Sequence, residues 1–157
     1  MRITETIARH LLEVHFGENW TEVWISKTLE DVRLEEAIIQ TQASPNTIAS
    51  LLHHITFYNK VIESRLGGTN PHIGEANGFD RPPLHNEADW QQLREDNLQS
   101  ARTLAAAIRK LPDTLLDKPI LENENSSVYY RQLHGVVEHA HYHLGQIVLL
   151  KNLIRNS

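Results

Sequence analysis

The chain has 157 residues, of which 40% are apolar and 22% charged, and its formal net charge is −5. These values fit one soluble globular domain over residues 1–157, large enough to bury a core. No apolar run nears the roughly 20 residues of a membrane span, no block of Lys or Arg offers nucleic acid a basic footprint, and the lack of cysteine excludes disulfides, thiolate metal sites and a cysteine nucleophile.

The opening residues, Met1 to Thr6, lack the charged-then-apolar pattern of a secretory signal. A cytoplasmic protein is expected, and the absence of cysteine is compatible with a reducing compartment. The first long helix is predicted over Ile3 to Phe16, where Ile3, Ile7, Leu11 and Val14 recur at helical spacing and Gly17 supplies the stop. Glu18 to Thr41 is mixed and predicts one or two short helices packed as a cover. Trp20 and Trp24 are expected to pack within that cover, and Glu35-Glu36 to form a solvated face.

Ser44-Pro45 suits a helix start, because serine caps well and proline loses no useful donor at the first helical position. A second long helix then runs through Ile48, Leu51, Leu52, Ile55 and Ile62 to a stop at Gly67-Gly68. Gly67 to His85 is too rich in Gly, Pro and Asn for regular structure; loops of this length are often lids or mobile segments. A third helix is predicted from an Asn86 cap, with Glu87 and Asp89 in its first turn, to Leu111 before Pro112. A fourth is predicted from a Ser126-Ser127 cap through Leu133, Val136, Ala140, Leu144 and Ile147 to Leu153. Four amphipathic segments with no alternating strand pattern predict an all-α bundle.

The chain has ten histidines. His139 and His143 are separated by four positions, which on a helix places both imidazoles on one face. They fall on one shoulder of the fourth helix's apolar stripe, and Gln146 continues that ladder one turn on. His134 and His141 fall on the opposite shoulder. On the second helix His54 lies at a core edge, about 90° from the stripe centre, while His53 points toward solvent. Helices packed 8–10 Å apart, a typical spacing of about that size, can bring one histidine to a pair on a neighbour. Three imidazoles with a position left open describe a catalytic type of metal site. The same pattern also suits boundary histidines bonded to polar neighbours. His10, His15, His72 and His85 are expected to be ordinary surface, boundary or loop residues.

At these residues the chain resembles the DinB/YfiT-like superfamily of metalloenzymes, over most of its length. Asn46-Thr-Ile-Ala-Ser-Leu-Leu-His-His54-Ile is similar to the family's second-helix segment, and Leu133-His-Gly-Val-Val-Glu-His139-Ala-His-Tyr-His143-Leu-Gly-Gln146 to its fourth-helix signature. The resemblance implies an up-down-down-up four-helix bundle, here with short extra helices between helices 1 and 2. It also implies a divalent transition metal, zinc or nickel first and iron as a further candidate, held by His54, His139 and His143. The face analysis selects the same three residues. The acid that often follows the signature's first histidine is Ala140 here. Some relatives are transferases or isomerases using bacillithiol, mycothiol or glutathione-like thiols.

The leading functional expectation is a metal-dependent transferase that activates a small thiol for attack on an electrophilic small molecule. Gln146, and Tyr58 one turn after His54, are the candidates for positioning ligand. A metal-assisted hydrolase and a non-catalytic, stress-related metal-binding bundle stand as alternatives. A homodimer is expected from the apolar residues spread around the first and second helices.

Overall fold

The computed structural model describes residues 2–122 and 126–156. Six α-helices occur among them: α1 (Ile3–Phe16), α2 (Ile25–Thr28), α3 (Leu34–Ala37), α4 (Ile48–Leu66), α5 (Glu87–Arg109) and α6 (Tyr129–Arg155), with one 3-10 turn at Asp113–Leu115. The described residues form no strand, only isolated bridges at Thr41–Ser44 and Pro119–Val128.

The four long helices share one core. α4 packs on α5 and α6, and α1 packs on the other sides of the same two helices. The apolar stripes read from the sequence meet there: Leu11, Leu52, Ile55, Leu104, Ile108, Leu133, Ala140 and Ile147 are buried in one cluster. Polar side chains tie neighbouring helices together at named levels. Asn97 donates to Thr56 at 3.1 Å and Asn59 to Ser100 at 3.0 Å, joining α5 to α4. Arg109 meets Glu5, and the Arg102 guanidinium lies 4.4 Å over the Phe16 ring, joining α5 to α1.

Helix ends depart from the expected caps for local reasons. α4 begins at Ile48, because Thr47 and Ser50 cap each other reciprocally at 3.1 and 2.9 Å. Ser44 instead accepts from the amide of Asn46, two residues on. The cap expected at Ser126-Ser127 is replaced by a backbone one: Val128 is the N-cap of α6 without a side-chain bond, and the amides of Tyr129 and Tyr130 donate to the carbonyls of Lys118 and Leu116. Asn86 caps α5 as expected, accepting from the Asp89 amide. That helix ends at Arg109, two residues short of the expected Leu111. The N-terminus of α1 is capped from far along the chain. The Asp113 carboxylate accepts from the amides of Ile3 and Thr4 at 2.7 and 3.0 Å, and those bonds hold its carboxyl below the usual range.

The mixed segment forms the expected cover, α2 and α3, locked down by the buried Trp90 indole donating to the Val32 carbonyl at 2.7 Å. Trp20 takes no part in it and is 99% exposed. Trp24 instead lies against Gly17, where an added Cβ would stand 3.3 Å from the indole. Glu36 is not freely solvated either, since Arg155 bonds both of its carboxylate oxygens. His15 is a further correction. It is completely buried between α1 and its neighbours, its Nδ1 bonded to the Leu11 carbonyl at 2.7 Å. Burial pushes its pKa down to about 4, against the raising effect of that bond.

Candidate metal centre

The core-edge positions of His54 on α4 and of His139 and His143 on α6 face one another across the α4–α6 contact. The candidate ligand atoms of the three rings all lie within 4.8 Å of one another. His54 Nε2 stands 3.0 Å from His139 Nε2. The ring centroids of His54 and His143 are 4.7 Å apart, and those of His139 and His143 4.5 Å.

Hydrogen bonds orient two of the rings. His54 Nδ1 bonds the carbonyl of Asn77 at 2.8 Å, so Nδ1 carries the proton and Nε2 keeps its lone pair. His143 Nδ1 bonds the Gln146 side-chain oxygen at 2.7 Å, which again leaves Nε2 as the free donor atom. His139 is held by aromatic contact with Tyr58, at 4.7 Å between centroids. Its Nδ1 is buried without a partner.

All three imidazoles resist protonation. Burial, aided by the charge His143 would carry, lowers His54 to about 4 despite the favourable Asn77 bond. Burial, with the charges that His143 and His54 would carry, lowers His139 to about 3. Burial also lowers His143, with the Gln146 bond opposing it. Neutral rings are the form that binds a metal.

This donor set suits a divalent transition metal. The Nε2 atoms of His54 and His139 oppose each other at 3.0 Å, and the Gln146 bond leaves His143 Nε2 free beside them. A bound cation would satisfy these converging lone pairs together. Three imidazoles suit zinc, nickel, iron or copper, and softness alone does not choose among them.

The long connection supplies the remainder of the site. Asn77 and Gly78 both take left-handed backbone, with φ of 51° and 77°, the conformation an Asn-Gly pair tolerates best. Their carbonyls accept from His54 and His53. His53 is therefore half-buried beneath the loop, and the expectation that it points to solvent does not hold. Phe79 stacks on His54 with centroids 3.9 Å apart. The Asn77 side chain also accepts from the Tyr58 hydroxyl at 2.6 Å. Reasoning from periodicity passed over Asn77, Gly78 and Phe79, and the Asn-Gly dipeptide was the available signal for a tight turn there.

A sequence model of the DinB superfamily matches residues 19–147. The chain belongs to the DinB superfamily. The matched span contains His54, His139 and His143 and ends one residue beyond Gln146. No curated protein and no solved structure matches it. Among the described residues of this DinB-superfamily protein, His54, His139 and His143 form the group of side chains able to hold a metal ion. His134 and His141 stay apart from it: His134 pairs with Glu138 at 3.2 Å, and burial and His10 lower the pKa of His141. Among the described residues, no helix is long and apolar enough to cross a membrane.

Proposed function

We propose that this protein is a metal-dependent transferase that activates a small thiol for attack on an electrophilic carbon. The observation that carries the reading is the convergence of three neutral imidazoles, two of them oriented with Nε2 free. His54, His139 and His143 would hold the metal. A bound divalent ion would lower the pKa of a thiol presented to it, giving a nucleophile at neutral pH. The chain has no cysteine, so the sulfur comes from a small molecule.

The protein's own residues do the rest. Gln146 and the Asn77 carbonyl hold the tautomers of His143 and His54. Phe79 covers one face of His54 and keeps water from it. Tyr58 presents its ring to His139 and its hydroxyl to the loop, at the edge of a cleft between α4 and α6. Tyr58 and Gln146 thereby become the residues that set the site's shape for ligand. In the reaction a sulfur–carbon bond forms, the bond to the leaving group breaks, and the thiol proton passes to solvent. A cytoplasmic setting, where small thiols stay reduced, suits this chemistry.

The up-down-down-up order is supported by the side-chain pairings. Thr56 with Asn97 and Asn59 with Ser100 ascend together along α4 and α5. His54 with His139 and Arg65 with Gln132 run in opposite senses along α4 and α6. Glu5 with Arg109 and Phe16 with Arg102 do the same along α1 and α5. For the homodimer, the support shifts to α6. Tyr142, Leu149 and Leu153 are exposed large apolar residues along one stripe of that helix, whereas α1 exposes only Ile3 and α4 none among the described residues.

A conjugation assay tests the activity. Metal-loaded protein is incubated with glutathione-, bacillithiol- and mycothiol-type thiols and a reactive aryl halide. Thiol adducts that depend on metal and vanish in His54→Ala support the transferase. Thiol-independent hydrolysis of an ester panel would favour the hydrolase, and inactivity in both assays with metal bound would favour the non-catalytic bundle.

A further inference from the structure

The cleft beside His139 contains two guanidinium groups and no carboxylate. It encloses about 210 Å³ between α4 and α6, reaching from Tyr58 and His139 at one end to Arg65 and Arg131 at the other. Arg65 spends its donors on neutral amides: Nε on the Asn70 oxygen at 3.2 Å and Nη1 on the Gln132 oxygen at 2.6 Å. Arg131 makes no hydrogen bond or ion pair with any described residue. No carboxylate pairs with either charge: Arg65 is half-buried in the cleft and Arg131 stands exposed at its mouth.

Gly135 lines the same cleft. It lies in the interior of α6, where glycine weakens a helix. A Cβ built on it meets nothing within 4 Å. Packing does not call for glycine here. What the missing side chain does is leave the cleft floor open, between the apolar walls of Ile62 and Val136.

The spacing sets the size of the occupant. Arg131 and Gln132 precede His139 by about two helical turns, or roughly 10–12 Å along the axis. Guanidinium groups match carboxylate and phosphate oxygens in a fork geometry that an ammonium group lacks. We propose that this cleft is a subsite for the anionic end of a reactant, whose carboxylate or phosphate sits at Arg65 and Arg131 while its other end reaches the three histidines. What happens at the histidine end rests on the transferase reading; the anion subsite stands on the arginines and Gly135.

The test separates the two. Cobalt loading is measured first, from its visible absorption, and failure there counts against the histidine centre rather than the cleft. Titration calorimetry then compares ω-mercaptooctanoate, ω-mercaptooctyl phosphate and ω-mercaptooctanol on chelator-stripped and cobalt-loaded protein. At least one anionic probe should bind about tenfold tighter than the alcohol in both forms, and added salt should reduce that advantage. The preferred probe distinguishes carboxylate from phosphate. Arg131→Gln should erase the advantage without changing cobalt content, since no described residue depends on that side chain. Gly135→Leu should weaken binding of all three probes with helix content unchanged. Equal affinity of the wild-type protein for acid, phosphate and alcohol would overturn the proposal.

Discussion

His54 donates from Nδ1 to the backbone carbonyl of Asn77 at 2.8 Å, so a long loop orients a candidate metal ligand on a helix. The loop has no regular structure over this stretch, yet it is pinned. Gly78 sits against Phe57 so closely that an added Cβ would stand 2.5 Å from the ring, and its φ of 77° disfavours any side chain. Gly78→Ala is expected to lift the loop, free the His54 ring and weaken metal binding by roughly 10–100-fold, the usual cost of losing a ligand's orienting partner. Titration against a competing chelator measures it. Unchanged affinity would mean that the loop does not orient His54.

His54 and His53 are adjacent but face different parts of the molecule, the first toward His139 and the second toward the Gly78 carbonyl. His54→Ala should abolish stoichiometric metal binding. His53→Ala should leave the stoichiometry intact and cost only some loop packing. Metal analysis of both variants, purified without a histidine tag, decides the assignment, and the opposite pattern would refute it.

The metal-free protein should lose stability as pH falls. Unfolded histidines take up protons near 6.5, whereas His15 folded resists protonation until about 4 and His54 likewise. The unfolded state binds more protons in that window, so stability is complete above about pH 6.5 and declines toward pH 4. For fully buried His15 the shift corresponds to roughly 3 kcal/mol. His15→Phe keeps a ring in the core and should flatten that part of the slope. Urea melts at a series of pH values supply the test; identical slopes in wild type and variant would count against it.

Removing the metal should not unfold the chain. The core joins all four long helices through residues such as Leu11, Leu52, Leu104 and Ile147, independently of the histidine edge. Chelator-stripped protein at pH 7 should stay helical and melt cooperatively, at a lower temperature than the loaded form. Circular dichroism checks this. A disordered metal-free chain would make the site structural and favour the non-enzymatic reading.

The proposed dimer places Tyr142, Leu149 and Leu153 of α6 in a shared interface. Sedimentation should show a species near twice 18.0 kDa at micromolar concentration, and Leu149→Glu should convert it to monomer. A single species near 18.0 kDa in the wild type would exclude the pairing.

Helix periodicity by itself determined the four long helices and placed His54, His139 and His143 at core edges, because each follows from about 100° of rotation per residue and the position of the apolar stripe; for the mixed segment Glu18 to Thr41 it left open one short helix or two. The glycine stops after α1 and α4 were legible for the same local reason: Gly17 and Gly68 adopt positive φ. What lay beyond the sequence depends on contacts between distant segments. Asp113 caps a helix 109 and 110 residues away, and His15 is buried by neighbours that no pattern within its own helix names. His53 and His54 differ by one position, yet only the docked loop gives each its partner. The arginine cleft likewise exists because α4 and α6 bring Arg65 and Arg131 to one recess. Local propensity acts over a few residues, whereas these features are fixed by which side chains the packed helices set side by side.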